Sequence, residues 1–194
     1  MTARAAFFPG DIIDLLCPTP QDIRFSEIAT RLSRVHRFAG GTREQYTQAQ
    51  HSVRLMELCS KSAAPYALLH DAHKAFTGDV IKPFLDALDT KIGVDEGGLS
   101  RLGLAFEWVI RGIDRALWSA AGLAPVLPPA IADEIAAMSA ALAGHEVRLF
   151  VGADPHDLGM NELLSCARMQ IWDQARARRE WLNAFAFTTG IRVE

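Results

Sequence analysis

Apolar residues in this chain recur at every third or fourth position, and that spacing limits what it can fold into. Between Leu99 and Ala121, the residues Leu102, Phe106, Val109, Ile110, Ile113 and Leu117 fall on one broad helical stripe. Ile28, Leu32 and Val35 repeat the pattern after Ser26, up to Gly40 and Gly41. A further helix is expected from near Thr47, with Ala49, Val53 and Met56 on one face. Pro65 opens the next in its first turn, Ala67, Leu68 and Ala72 continue it, and Gly78 ends it. Pro83 predicts a turn soon after, and Pro125, Pro128 and Pro129 predict a rigid connection following Gly122. Another amphipathic stretch runs over 131–149. A last one is expected over 160–187, with Leu163, Leu164, Ala167, Ile171 and Ala175 facing inward. The alternating pattern of strands is nearly absent. Asp-Glu-Gly-Gly at 95–98 reads as a loop tip within the domain. The expectation is one all-α domain over residues 1–194, a helical bundle of about six or seven helices.

Composition agrees with a packed domain. At 194 residues the chain is long enough to bury a core unaided, and 49% hydrophobic with 22% charged residues excludes a disordered chain. Twenty Lys and Arg against 23 Asp and Glu leave a formal charge of −3, so nothing draws the whole chain to polymeric nucleic acid. No apolar run approaches the ~20 residues of a membrane-spanning helix. Asp11 and Asp14 interrupt the apolar stretch near the start, which therefore does not read as a signal peptide. Cys17, Cys59 and Cys166 stand singly and form no CxxC pair. They are expected as reduced thiols of a cytoplasmic protein.

The chemistry concentrates around His70 and Asp71. They directly follow the apolar run Ala63–Leu69, and an ionisable pair at the end of a buried stretch needs a partner. A lone His-Asp pair often does no more than neutralise itself. Imidazole and carboxylate are also the ligand types for Zn, Mn, Fe, Co or Ni. His51, within QAQHSV, stands on the preceding helix, and an antiparallel helix pair would bring it beside His70 and Asp71. Asp79 lies eight residues after Asp71, directly behind Gly78. Arg31, Arg34 and Arg37 lie three apart on one helix face, which alone reads as a solvated edge. Trp108, Trp118, Trp172 and Trp181 are expected in the core or at an interface, and His36 and His73 at the surface or behind the site.

Four segments together resemble the HD-domain metal-dependent phosphohydrolases: DIIDLLCPTPQDI, FSEIATRLSRVHRFAGGT, YTQAQHSV and ALLHDAHKAFTGDVIKPF. Within that family the branch containing bacterial 5′-deoxynucleotidases and phage deoxyadenosine triphosphohydrolases is the most similar. The resemblance implies an all-helical fold around a divalent metal (Zn, Mn, Co, Fe, Ni or Mg) and a deoxynucleotide substrate, and it points to a homodimer. It assigns His51, His70 and Asp71 to the metal and Asp79 to catalysis near the reacting phosphate. Arg37 would hold phosphate, for which its planar fork suits it, and Phe38 would pack on the nucleoside.

Two positions depart from the family pattern. Lys74 stands where a Glu is usual. A protonated Lys cannot deprotonate water, but it can neutralise phosphate charge, or pair with Asp71 and compete with the metal. Ser139 falls where a metal-binding Asp is expected, about two helical turns before Glu146, and is expected to point inward. Asp133, six residues earlier, points about 120° away from it. Such departures admit a degenerate member that binds nucleotides without turning them over, or a helical interaction module with no ligand.

Overall fold

The computed structural model describes residues 2–93, 100–162 and 169–193. The chain is mostly helical, with one correction to the all-α expectation. Near the N-terminus, β1 (Arg4–Phe7) and β2 (Asp11–Asp14) pair antiparallel, Arg4 opposite Asp14 and Phe7 opposite Asp11. Each strand has only four residues, too few for alternation to stand out. The hairpin is held from below. Phe7 meets the Phe76 ring edge-on at 5.6 Å, and the Arg31 guanidinium sits 4.4 Å over the Phe7 ring and 3.4 Å from Asp11 Oδ2. Arg31 is thus a clamp, not part of a solvated edge.

The helices follow as α1 (Phe25–Leu32), α2 (Gln48–Leu58), α3 (Ala64–Leu69), α4 (Lys74–Thr77), α5 (Lys82–Ile92), α6 (Arg101–Ala120), α7 (Pro129–Glu146) and α8 (Gln174–Thr189). Local chemistry explains their starts. The Thr47 side chain accepts from Gln50 N at the head of α2, and Ser100 accepts from Gly103 N at the head of α6. Pro83 lies in the first turn of α5, so the predicted turn is a helix start, where a missing N–H costs nothing. Helix α7 runs on through a wider turn at Val147–Val151.

The last helix is the second correction. It starts at Gln174 rather than Met160, with Asp173 Oδ1 accepting from Arg176 N. The buried Gln50 amide holds the preceding segment off the helix. Its Nε2 donates to Gln170 O at 2.7 Å, and its Oε1 accepts from Trp172 N at 2.9 Å. Ala175 is exposed, and α8 buries Ala177, Trp181, Ala184 and Phe185 instead. Leu163, Leu164, Ala167, Cys166 and the loop at 95–98 lie outside the described residues.

Helices α1, α2, α3, α6 and α8 enclose the main core, in which Trp181 and Phe185 stack at 5.5 Å and Phe25 meets Phe185 at 4.1 Å. A smaller core of Leu55, Tyr66, Ala67, Ile135 and Leu142 seats α7 on α2 and α3. Helix α2 lies between the two, and its residues 48–53 are all buried. Trp172 and Trp181 belong to the core, as expected, whereas Trp108 is surface-exposed. No helix among the described residues is long and apolar enough to cross a membrane.

Trp181 has no exposed surface, and its removal leaves a cavity at the centre of the main core. Trp181→Ala is expected to destabilise the protein by about 3–5 kcal/mol, read as a lower urea midpoint at an unchanged m-value.

Candidate functional site

The site forms where the chain turns between α1 and α2 and meets the end of α7. Arg37 N donates to Tyr46 O and Gln48 N to Val35 O, so segments 35–37 and 46–48 run side by side. This pairing buries Arg37 against the head of α2. The next residues, Phe38 and Ala39, adopt left-handed φ values of 55° and 51°. That conformation is costly for a bulky residue and needs outside support. Asp79 supplies it, because its Oδ2 accepts from Ala39 N at 3.2 Å.

Glu146, fully buried at the end of α7, is the hub. Arg37 donates to its Oε2 from Nη2 at 2.9 Å and from Nε at 3.2 Å. Tyr46 OH donates to its Oε1 at 2.7 Å, and His51 Nδ1 lies 2.6 Å from the same oxygen. Burial alone would raise the Glu146 pKa, but His51, Arg37 and these hydrogen bonds hold it down to about 2. Burial, reinforced by the Arg37 charge, lowers the His51 pKa against the pull of Glu146 and Asp71, which favours the neutral imidazole. Glu146 therefore fixes its tautomer: Nδ1 carries the hydrogen and donates, and Nε2 keeps a bare lone pair.

That Nε2 is buried and has no hydrogen-bond partner. It faces Asp71 Oδ2 at 3.6 Å. Two ligand atoms each about 2.0–2.2 Å from one divalent ion, at a tetrahedral to trigonal angle, lie about 3.4–3.6 Å apart. The His51–Asp71 gap fits that bite, and the Glu146 carboxylate behind His51 is the outer partner that metal-binding imidazoles commonly have. His70, half-buried at the end of α3, is near enough for its charge to act on Asp71, though no hydrogen bond joins it to either residue. Among the described residues, no group of three or more His, Cys, Asp or Glu is arranged to hold a metal.

Asp71 Oδ2 also accepts from Gln48 Nε2 at 2.8 Å and from Lys74 Nζ at 3.1 Å, with Arg37 Nη1 farther off at 3.5 Å. Burial works against its charge, but Lys74, His70, His51 and Arg37 hold the carboxyl well below its ordinary pKa. Lys74 reaches a second carboxylate, Asp79 Oδ1, at 2.9 Å. The expected Lys74–Asp71 pairing is therefore present, and Lys74 bridges both acids.

Arg37, Phe38, Lys74 and Asp79 line one cavity of about 600 Å³ together with Val80, Ile81, Lys82, Pro83, Asp86, Val147, Leu158 and Met160. Its lining combines charged side chains with apolar ones. All four residues assigned to substrate or catalysis thus meet in one space. Ser139 is half-buried on α7 and shares no hydrogen bond with the cluster. His73 pairs with Asp114 at 3.1 Å, behind the site. Glu146, Gln48 and Tyr46 were not among the residues assigned from sequence. Gln48 sits three positions before His51, hence on the same helix face, and Glu146 is a lone acid beside Gly144 and Val147.

No protein-family model matches the chain. Among curated proteins, it is similar to an uncharacterized protein of Rhodobacter capsulatus, RCAP_rcc00048, at 38% identity over 88 residues. That match covers 41% of this chain and 45% of the relative. It is also similar to the uncharacterized protein YfdR of Escherichia coli, at 40% identity over 62 residues, covering 32% of this chain and 35% of the relative. The chain spans less than half the length of either curated relative.

The Arg37–Glu146 pair is buried at both ends. Glu146→Gln removes the guanidinium's nearest counter-charge and is expected to cost about 3–5 kcal/mol in urea unfolding. In the double variant Arg37→Met with Glu146→Gln, much of that loss should be recovered.

Proposed function

We propose that this protein is a metal-dependent phosphohydrolase acting on deoxynucleotides, the function implied by its resemblance to the HD-domain family. The observation that carries this reading is the bare His51 Nε2 facing Asp71 Oδ2 at 3.6 Å, backed by Glu146. A lone pair buried against a carboxylate oxygen is unfavourable unless a cation lies between them. His51 and Asp71, with His70 beside them, would hold the ion. A divalent metal supplies positive charge at a phosphoryl oxygen and lowers the pKa of water.

The chain's own groups account for the rest. Arg37 is locked to Glu146 through Nη2 and Nε, and its Nη1 makes only long contacts of 3.5 Å to Asp71 Oδ2 and Gln48 Oε1, which a phosphate oxygen would replace. Phe38, Leu158 and Met160 offer apolar walls to the nucleoside. Asp79 stands at the cavity as a proton acceptor for the attacking water. As water adds to phosphorus, the bond from phosphorus to the 5′ oxygen breaks, and a proton reaches that leaving oxygen. The free thiols Cys17 and Cys59 suit a reducing, cytoplasmic setting.

A second reading has its own observation. Lys74 already neutralises both Asp71 and Asp79, and Ser139 adds no carboxylate, which favours a nucleotide-binding protein without turnover.

Chromatography of products separates the two. With Mn, Co, Mg or Zn supplied, the hydrolase is expected to release deoxynucleoside from a deoxynucleoside mono- or triphosphate, with phosphate or triphosphate as the second product. Folded protein that binds these nucleotides but forms no product supports the second reading. Asp79→Asn should lower kcat by about 10²–10⁴-fold. Asp71→Ala should abolish metal retention in elemental analysis, and full occupancy in that variant would remove the site assignment.

A further inference from the structure

Lys74 occupies an unusual position for a cavity-lining cation, because both carboxylates it touches have work elsewhere. Its Nζ lies 3.1 Å from Asp71 Oδ2 and 2.9 Å from Asp79 Oδ1. A carboxylate oxygen offers two lone pairs. Gln48 Nε2 at 2.8 Å and Lys74 Nζ at 3.1 Å take both on Asp71 Oδ2, with Arg37 Nη1 farther off at 3.5 Å. The oxygen facing His51 is therefore saturated while Lys74 stays in place.

The members of this cluster differ in freedom to move. Gln48 is fully buried on α2. Arg37 is buried and pinned to Glu146 by two bonds. Lys74 is the exception: it belongs to the short helix α4, carries a flexible four-carbon stem and lines the open cavity. A phosphate anion in that cavity is a competing partner for its ammonium. The ion pairs of the cluster set Arg37 and Lys74 against Asp71, Asp79 and Glu146. Drawing Lys74 off leaves the two acids facing His51 and the cavity with less positive charge beside them, an environment that attracts a cation.

We propose that Lys74 makes divalent-cation binding and phosphate binding mutually dependent: it masks Asp71 until a phosphate ligand draws its ammonium away. The inference rests on the metal-site reading above and adds an order to it, because the cation is held tightly only when the anion is present. Coupling of this kind is reciprocal, so the cation tightens phosphate binding by the same factor.

The test titrates Mn²⁺ into the full chain by calorimetry, with and without inorganic phosphate, against a protein-free Mn²⁺–phosphate blank. Phosphate is expected to lower the wild-type Kd for Mn²⁺ by about tenfold, a typical coupling. In Lys74→Met the phosphate-free Kd should already lie near the wild-type value with phosphate, and the effect of phosphate should shrink below about threefold. Lys74→Gln, which keeps a polar end without the charge, should match Lys74→Met. An equal wild-type Kd with and without phosphate overturns the inference and leaves the metal site standing. Undiminished coupling in both variants also overturns it. Absence of Mn²⁺ binding under every condition, in wild type and variants alike, overturns the metal-site reading and this inference with it.

Discussion

The site depends on one buried charge, the Glu146 carboxylate. Moving it out of water costs several kcal/mol, which only close partners can offset. Its partners come from the other end of the chain: the Arg37 guanidinium, the Tyr46 hydroxyl and the His51 imidazole. Satisfying that charge settles three questions together. It sets where α7 ends against α2, which way the Arg37 fork faces, and which nitrogen of His51 carries hydrogen. The fit is close along this seam. Gly144 is packed so tightly on Asn161 O that an added Cβ would collide with it.

Beside that hub, the cavity combines charged and apolar side chains. Charged groups pair at the floor, where water is excluded and each interaction is strengthened by its surroundings. Phe38, Val147, Leu158 and Met160 add apolar surface to the same cavity, and the exposed pair Lys82–Asp86 lies on its lining as well. The left-handed turn at Phe38 and Ala39 shapes one wall, and its stability depends on the Asp79 carboxylate that also faces the cavity. Wall and acid are therefore mechanically joined.

Much of this was legible in the residues. Periodicity located α1, α2, α6 and α7 because their apolar faces repeat every three or four positions. His51, Asp71, Lys74 and Asp79 were legible because they crowd into adjacent elements that must pack together. Three features were not. The hairpin is short, and its order comes from Phe7, Phe76 and Arg31 rather than from strand propensity. The start of α8 is displaced by hydrogen bonds from Gln50, more than a hundred residues earlier, which no local pattern encodes. Glu146 carries a long-range role that becomes visible only when α7 docks.

Gln50 shows how a polar residue beside a chemical centre can serve another end. Its side chain donates to one backbone carbonyl and accepts from one backbone amide, a two-way bond that a carboxylate or an ammonium cannot make. It is the immediate neighbour of His51, yet it turns to a different side of α2 and anchors the segment that leads into α8. Its constraint belongs to chain routing: the amide acts as a rivet between two distant stretches, and a change there would unfasten the entry to α8 without altering a single group that faces the cavity.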